Sequence, residues 1–266
     1  MVNIETLCNA VCSLAKETGQ YIKKERKTIT IDIETKSLNS FVTHVDKEAE
    51  RKIIERLSLL LPEAGYIAEE GTNDKKGELY NWIIDPLDGT TNFIHSIPCF
   101  SVSIGLMRND KMILGVVYEI NFDECFYAME GSSAFLNGRE ISVSKTENLN
   151  DSLLATGFPY YDYEKLEPYL ELLGHFTKNT RGIRRLGSAA TDLAYVACGR
   201  FEGFYEYGLS PWDVAAGAFI VKQAGGCVSD FKNSEDYIFG KEILATNLLM
   251  HKHLLKEIQY FFENRK

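Results

Sequence analysis

The residues best suited to chemistry in this sequence are carboxylates. They fall in three distant segments: Ala68-Glu69-Glu70-Gly71, Asp85-Pro86-Leu87-Asp88-Gly89-Thr90-Thr91 and Pro211-Trp212-Asp213-Val214-Ala215-Ala216-Gly217. The middle segment follows the apolar run Trp82-Ile83-Ile84, which places its two Asp at a strand-to-helix turn. Pro86 removes a backbone donor and narrows the local conformations. Gly89 lets backbone approach a ligand closely. Thr90 and Thr91 sit near a helix start, where free N–H groups can bind a phosphate. Two carboxylates beside such a turn repel each other and any anionic substrate unless a cation intervenes, and hard oxygen donors favour Mg²⁺ over zinc. In the third segment, Ser210, Pro211 and Asp213 suit the N-cap, N1 and N3 positions of a helix. Each segment also has a plain structural reading when taken singly. Asp213 serves a helix dipole, Glu69-Glu70 a solvated turn, and Asp85 and Asp88 ordinary turn chemistry.

The elements that must position these groups are legible as periodicity. Ile4, Leu7, Val11, Leu14, Ala15, Tyr21 and Ile22 predict an N-terminal helix with Lys23, Lys24, Arg26 and Lys27 near its end. Residues 28–33 alternate as a strand, and 36–40 read as a polar loop. A second helix over Val45 to Leu61 presents Val45, Ala49, Ile53, Ile54, Leu57 and Leu61 on one face, with Pro62 beyond it. Strands are expected at 99–107, 112–119 and 124–129 as a meander. Helices follow at 187–198 and 211–224, an extended stretch at 204–206, strands at 227–230 and 243–246, and a helix at 251–264. No repeat, low-complexity tract or long linker interrupts the chain. It reads as one layered unit of α and β elements over residues 1–266, with an N-terminal α+β part to about 145 and a C-terminal α/β part from about 146, and a division near 145–180.

The chain has 266 residues, 45% hydrophobic and 12% aromatic, which suffices for a core and argues against wholesale disorder. Its formal charge of −9 disfavours nucleic acid, because no net positive field draws in a polyanion. No apolar run reaches the roughly 18 residues that cross a bilayer. Glu5 precedes the first apolar stretch without a basic n-region, so that stretch is not read as a secretory signal, and a cytoplasmic location is expected. Cys8, Cys12, Cys99, Cys125, Cys198 and Cys227 have wide, irregular spacings and are read as reduced thiols, mostly buried. His251 and His253, two apart on a helix, face different directions and are read as surface residues rather than a zinc site.

Taken together, the segments closely resemble the inositol monophosphatase family. The resemblance is carried by Trp82-Ile83-Ile84-Asp85-Pro86-Leu87-Asp88-Gly89-Thr90-Thr91-Asn92-Phe93 and by Trp212-Asp213-Val214-Ala215-Ala216-Gly217 with Gln223-Ala224-Gly225-Gly226. It extends to Glu69-Glu70, Val42-Thr43-His44-Val45-Asp46 and Arg184-Arg185-Leu186-Gly187-Ser188-Ala189-Ala190, and so covers nearly the whole chain.

The resemblance implies an αβαβα sandwich of the inositol monophosphatase and fructose-1,6-bisphosphatase superfamily. It further implies a Mg²⁺-dependent, lithium-inhibited phosphomonoesterase that forms a homodimer. By that resemblance, Glu69, Asp85 and the Leu87 carbonyl hold a first ion, and Asp85, Asp88 and Asp213 a second. Glu69 helps hold a weaker third. One ion activates a water and another stabilises the leaving oxygen, without a covalent phosphoenzyme. Thr90 hydrogen-bonds the water, Asp46 orients Thr90, and Gly89 and Thr90 amides hold the phosphate alongside Leu87, Asp88 and Asp213. Gly187, Ser188, Ala189 and Glu206 face a polyol, since a carboxylate accepts hydroxyl protons. The expected reaction is hydrolysis of myo-inositol 1-phosphate. Fructose-1,6-bisphosphatase, histidinol-phosphatase and bisphosphate-nucleotidase activities on the same core are alternatives, though Thr91-Asn92-Phe93 departs from the Lys-Glu-Phe usual in the nucleotidases. A regulatory role with the transcription machinery is a further one. Arg184 and Arg185 could meet a second phosphate, but a dimer contact or surface ion pairs are expected.

Overall fold

The structure is a computed structural model that describes residues 3–26, 33–37, 40–159 and 163–263. The long amphipathic helix α1 (Ile4–Glu25) opens the chain, its first turn capped by the Asn3 side chain, which accepts from Thr6 N at 3.0 Å. A hairpin of β1 (Ile33–Ser37) and β2 (Ser40–Thr43) leads into α2 (His44–Leu60). Part of the expected polar loop at 36–40 is thus strand, paired antiparallel; the strand expected at 28–33 falls largely outside the described residues.

A seven-stranded sheet follows, formed by β3 (Gly65–Ala68), β4 (Tyr80–Asp88), β5 (Ser101–Arg108), β6 (Lys111–Glu119), β7 (Glu124–Met129), β8 (Ala134–Leu136) and β9 (Arg139–Ile141) in that spatial order. The short helix α3 (Thr90–Ile94) lies between β4 and β5. Only the β3–β4 pair is parallel; the rest form an antiparallel meander. The meander expected at 99–129 is present, with β5 beginning two residues later than its pattern suggests. The second sheet has the order β11-β10-β12-β14-β13, from β10 (Leu153–Thr156), β11 (Gly182–Arg184), β12 (Gly203–Tyr207), β13 (Gly226–Ser229) and β14 (Glu242–Asn247). β10 runs parallel to β11 and β12, and β14 antiparallel to both its neighbours.

The helices complete five layers. α1 and α2 cover one face of the seven-stranded sheet, and the apolar stripe of α2 is buried against it. The helices α5 (Ala189–Ala197) and α6 (Pro211–Gln223) lie between the two sheets and touch both. The outer face of the second sheet is covered by α4 (Leu166–Asn179) and α7 (His251–Glu263). This is the expected αβαβα sandwich. Its middle layer is buried from both sides, which explains why α5 and α6 are apolar almost all round. Among the described residues, no helix is long and apolar enough to cross a membrane.

Two readings of single residues change. Cys8 and Cys125 are buried, whereas the other four free thiols, Cys12, Cys99, Cys198 and Cys227, are half-buried. His251 is buried rather than on the surface: at the start of α7 its ring nitrogens meet Ser229 Oγ at 3.1 Å and Thr246 Oγ1 at 3.0 Å, tying the helix to β13 and β14.

Ile104, in the middle of β5, is wholly buried in the core beneath α1. Ile104→Ala is expected to cost about 2–5 kcal/mol of stability through lost burial and an unfilled cavity. Leu59→Ala, at an exposed position, is expected to cost at most about 0.5 kcal/mol. Urea denaturation of both variants checks the contrast.

Candidate active site

Successive residues of a strand point to opposite faces, so two Asp three positions apart should diverge. They do not, because β4 runs through Asp88 and its pairing with β5 slips. Asp85 pairs with Ser103 and Asp88 with Ser101, so three steps on one strand match two on the other. This bulge carries one extra residue and turns both carboxylates to one side. The Asp pair therefore lies within a bulged strand end rather than in a turn after the strand. Asp85 Oδ1 accepts from Leu87 N at 2.9 Å, holding the bulge. Gly89 then takes a left-handed conformation with φ of 95°. A Cβ there would also stand 3.1 Å from the carbonyl oxygens of Cys99 and Gly187.

The other elements bring their groups to the same place. Ser188, the N-cap of α5, donates from Oγ to Asp88 Oδ2 at 2.6 Å, and Ala190 N donates to the same oxygen at 2.8 Å. At the start of α6, Asp213 Oδ2 accepts from Ser210 N at 2.7 Å. Asp85, Asp88 and Asp213 thereby offer oxygens that all lie within 4.8 Å of one another. Glu69 follows β3, with its N–H on Ile84 O at 3.2 Å. The loop after it is held by the buried Glu50 of α2, whose carboxylate accepts from Glu70 N at 2.7 Å, Thr72 N at 2.8 Å and Thr72 Oγ1 at 2.7 Å. Asn92 Nδ2 donates to Cys99 O at 2.7 Å and Leu186 O at 2.8 Å, joining α3 to the loop that carries Gly187.

These groups line one cavity of about 270 Å³. Glu69, Asp85, Leu87, Asp88, Gly89 and Thr90 form part of its wall; Gly187, Ser188, Ala189, Glu206 and Asp213 form another. Asp46 lies behind the wall, fully buried, and its Oδ1 accepts from Thr90 Oγ1 at 2.9 Å; that hydroxyl is also 3.1 Å from Leu87 O. Glu206 is likewise buried on β12, and a Cβ at Gly157 would fall about 2.1 Å from its Oε2, so glycine there makes room for the carboxylate.

Three further residues of this region stand outside the expected site residues. Arg185 is exposed and belongs to the cavity wall, its guanidinium 5.6 Å from the centre of the Phe158 ring. Arg184 is exposed and donates to Ile183 O at 3.1 Å. Asp192 of α5 also lines the cavity. An acid inside a helix that is otherwise apolar all round is the signal that marks it. Glu50 shows itself similarly, one turn after Asp46 on the apolar face of α2.

The electrostatics follow from burial and crowding. Burial raises the pKa of Asp85 well above the usual carboxylate range, and repulsion from Glu69, Asp88 and Asp213 adds to it. Burial and the Asp88 charge do the same to Asp213. Asp88 is pushed up only to about 6, because the bonds from Ser188 and Ala190 favour its charged form and partly offset burial. A cluster of buried and half-buried carboxylates, supplemented by the Leu87 carbonyl, fits a hard divalent cation, whose charge would relieve the repulsion.

The comparisons with known proteins agree with this chemistry. The model of the inositol monophosphatase family matches residues 3–261. The protein named Nus factor SuhB of Pseudomonas aeruginosa is 40% identical over 262 residues, covering 96% of this chain and 97% of that protein. Inositol-1-monophosphatase of Mesorhizobium japonicum is 36% identical over 255 residues, covering 95% and 96%. Among solved structures, the extragenic suppressor protein suhB of Bartonella henselae superposes with a TM-score of 0.91 at 37% identity, covering 96% of this chain and 98% of that one.

The raised carboxylates set a pH dependence. A folded-state pKa above the ordinary value means that the native state binds the extra proton, so stability is fully present below the ordinary value and is lost as pH rises through the folded one. For Asp88 the window runs from 3.8 to about 6, and Asp85 and Asp213 act in the same direction. In chelator, the melting temperature is expected to fall as pH rises across this window. A divalent cation, binding the ionised carboxylates, should raise it more at about pH 8 than at about pH 5. Scanning calorimetry at both values, with and without the cation, checks the sign.

Proposed function

The chain belongs to the inositol monophosphatase family of metal-dependent phosphatases, and we propose that within it this protein is a Mg²⁺-dependent phosphomonoesterase of small polyol phosphates, hydrolysing myo-inositol 1-phosphate to myo-inositol and phosphate. The observation that carries the reading is the convergence of Asp85, Asp88 and Asp213 within 4.8 Å, in a cavity that also holds the buried Glu206. In this reading Glu69, Asp85, the Leu87 carbonyl, Asp88 and Asp213 hold two to three Mg²⁺ ions. When bound, the ions supply charge neutralisation, Lewis acidity at a phosphoryl oxygen and a lowered pKa for water.

The chain's own groups do the positioning. Thr90 has a single hydroxyl proton and directs it to Asp46. Its lone pair is then available to accept from a water and hold it in line with the phosphorus. The Gly89 and Thr90 amides bind phosphate oxygens. Ser188 and Ala189 border the polyol, and Glu206 accepts hydroxyl protons from it. Li⁺ inhibits by competing for the cation positions. The relatives named Nus factor SuhB favour a second role alongside catalysis, in which the chain engages the transcription machinery.

Asp85→Asn and Asp213→Asn are expected to lower Mg²⁺-dependent turnover at least about a thousandfold, in line with the loss of several kcal/mol of charge stabilisation, while the folded circular-dichroism spectrum is kept. Near-normal turnover by either variant at ordinary Mg²⁺ would show the ligand assignment to be wrong. Thr90→Ala should slow turnover about a hundredfold with little change in Mg²⁺ affinity. The substrate is tested with a panel of inositol, fructose-1,6-bis-, histidinol and nucleotide phosphates, assayed with and without Mg²⁺ and Li⁺; a marked preference for one of the others displaces the inositol assignment. For the second role, RNA polymerase should be retained equally by the unaltered chain and by Asp85→Asn in a pull-down.

A further inference from the structure

Asp85, Asp88 and Asp213 each accept a backbone or hydroxyl hydrogen bond that fixes them in place. Asp192 does not share this feature. It lies on α5, is only 2% exposed, borders the cavity, and its Oδ1 has no hydrogen-bond partner among the described residues. A buried polar atom without a partner opposes folding. The helix around it is built from Ala189, Ala190, Leu193, Ala194, Val196 and Ala197, all buried, where an apolar residue would serve packing better. The fold therefore gives no account of an acid at this position, but the cavity does.

Its surroundings indicate the kind of ligand. Among the neighbouring charges, Glu206 opposes the ionised form of Asp192 most strongly, and Arg185 favours it. Arg185 likewise favours the ionised form of Glu206. The two buried acids and the guanidinium line the same cavity as Asp85, Asp88 and Asp213. A carboxylate accepts hydrogen bonds and donates none when ionised, so two of them match two hydroxyl donors on one ligand. We propose that Asp192 is a specificity-determining residue, a second hydroxyl acceptor that works with Glu206 to hold two different hydroxyls of the polyol part of the substrate. The proposal rests on the polyol-phosphate reading above and adds a distinct group to it. Arg185 offsets the charge of the pair and keeps the region usable by an anionic ester.

The test is a set of mono-deoxy inositol phosphates, each lacking one hydroxyl, assayed for kcat and KM in Mg²⁺. The unaltered chain should show two hydroxyls whose removal lowers kcat/KM about tenfold or more, as expected where a buried polar group loses its partner. In Asp192→Ala the penalty for one of them should vanish, with the change expressed mainly in KM; in Glu206→Gln the penalty for the other should vanish. A single critical hydroxyl in the unaltered chain, matched to Glu206, overturns the role of Asp192 while leaving the polyol reading intact. Unchanged penalties in Asp192→Ala overturn it too. So does a lowered melting temperature together with an equal fall in kcat on every ester, the signature of a merely structural residue. If no hydroxyl matters at all, the polyol reading itself fails. The unaltered-chain arm requires no variant to fold.

Discussion

Repulsion among buried carboxylates is the constraint around which this molecule is organised. Asp85, Asp88 and Asp213 sit close enough to share a cation, with Asp85 and Asp88 buried and Asp213 half-buried. Left alone, such a cluster drives its members toward the protonated state. The protein counters this locally, with hydrogen bonds from Leu87, Ser188, Ala190 and Ser210 that hold individual oxygens in place. These donors orient the acids without neutralising them. The remaining charge is what gives the site its demand for a hard cation, and through the cation its capacity for a phosphate.

The layered architecture places these donors where they are needed. α5 and α6 are the shared layer, buried by both sheets, and each delivers its first turn to the cavity. β4 reaches the same cavity from the seven-stranded sheet and β12 from the other, through Glu206. The supporting contacts come from further out. Glu50 on α2 anchors the loop after Glu69, and Asn92 links α3 to the segment before Gly187. The site is thus a junction of elements that are remote along the chain, anchored in the cores on either side of the seven-stranded sheet.

Much of this was readable from residue order. The stripe on α2 from Val45 to Leu57 is buried as its spacing implies, and β7 matches its expected bounds of 124 to 129. The two signature segments led to the family because they combine residue type with separation. What was not legible depended on tertiary context. β8, β9, β10 and β11 are only three or four residues long, too short for a periodic pattern. α4 carries Tyr169, Leu172 and Phe176 at helical spacing, a signal that was present but is interrupted by Pro168 in its first turn. His251 looks like a surface residue by sequence because its partners, Ser229 and Thr246, lie on other strands. Arg185 reads as a surface charge because nothing local shows that its loop lines a cavity. Asp192 is the instructive case: an acid in an apolar helix stands out in the sequence, but nothing local shows that its helix face looks into the site.

The bulge in β4 gives the signature an additional kind of information. Because one extra residue separates Asp85 from Asp88 relative to the neighbouring strand, the count of positions between them determines which side of the sheet the second carboxylate occupies. Substitutions at the intervening residues alter local comfort, whereas a deletion or insertion there reverses the direction of a carboxylate. Chain length across this short stretch is therefore under a stricter requirement than the identity of the residues within it, and a lineage could vary the letters far more freely than the spacing.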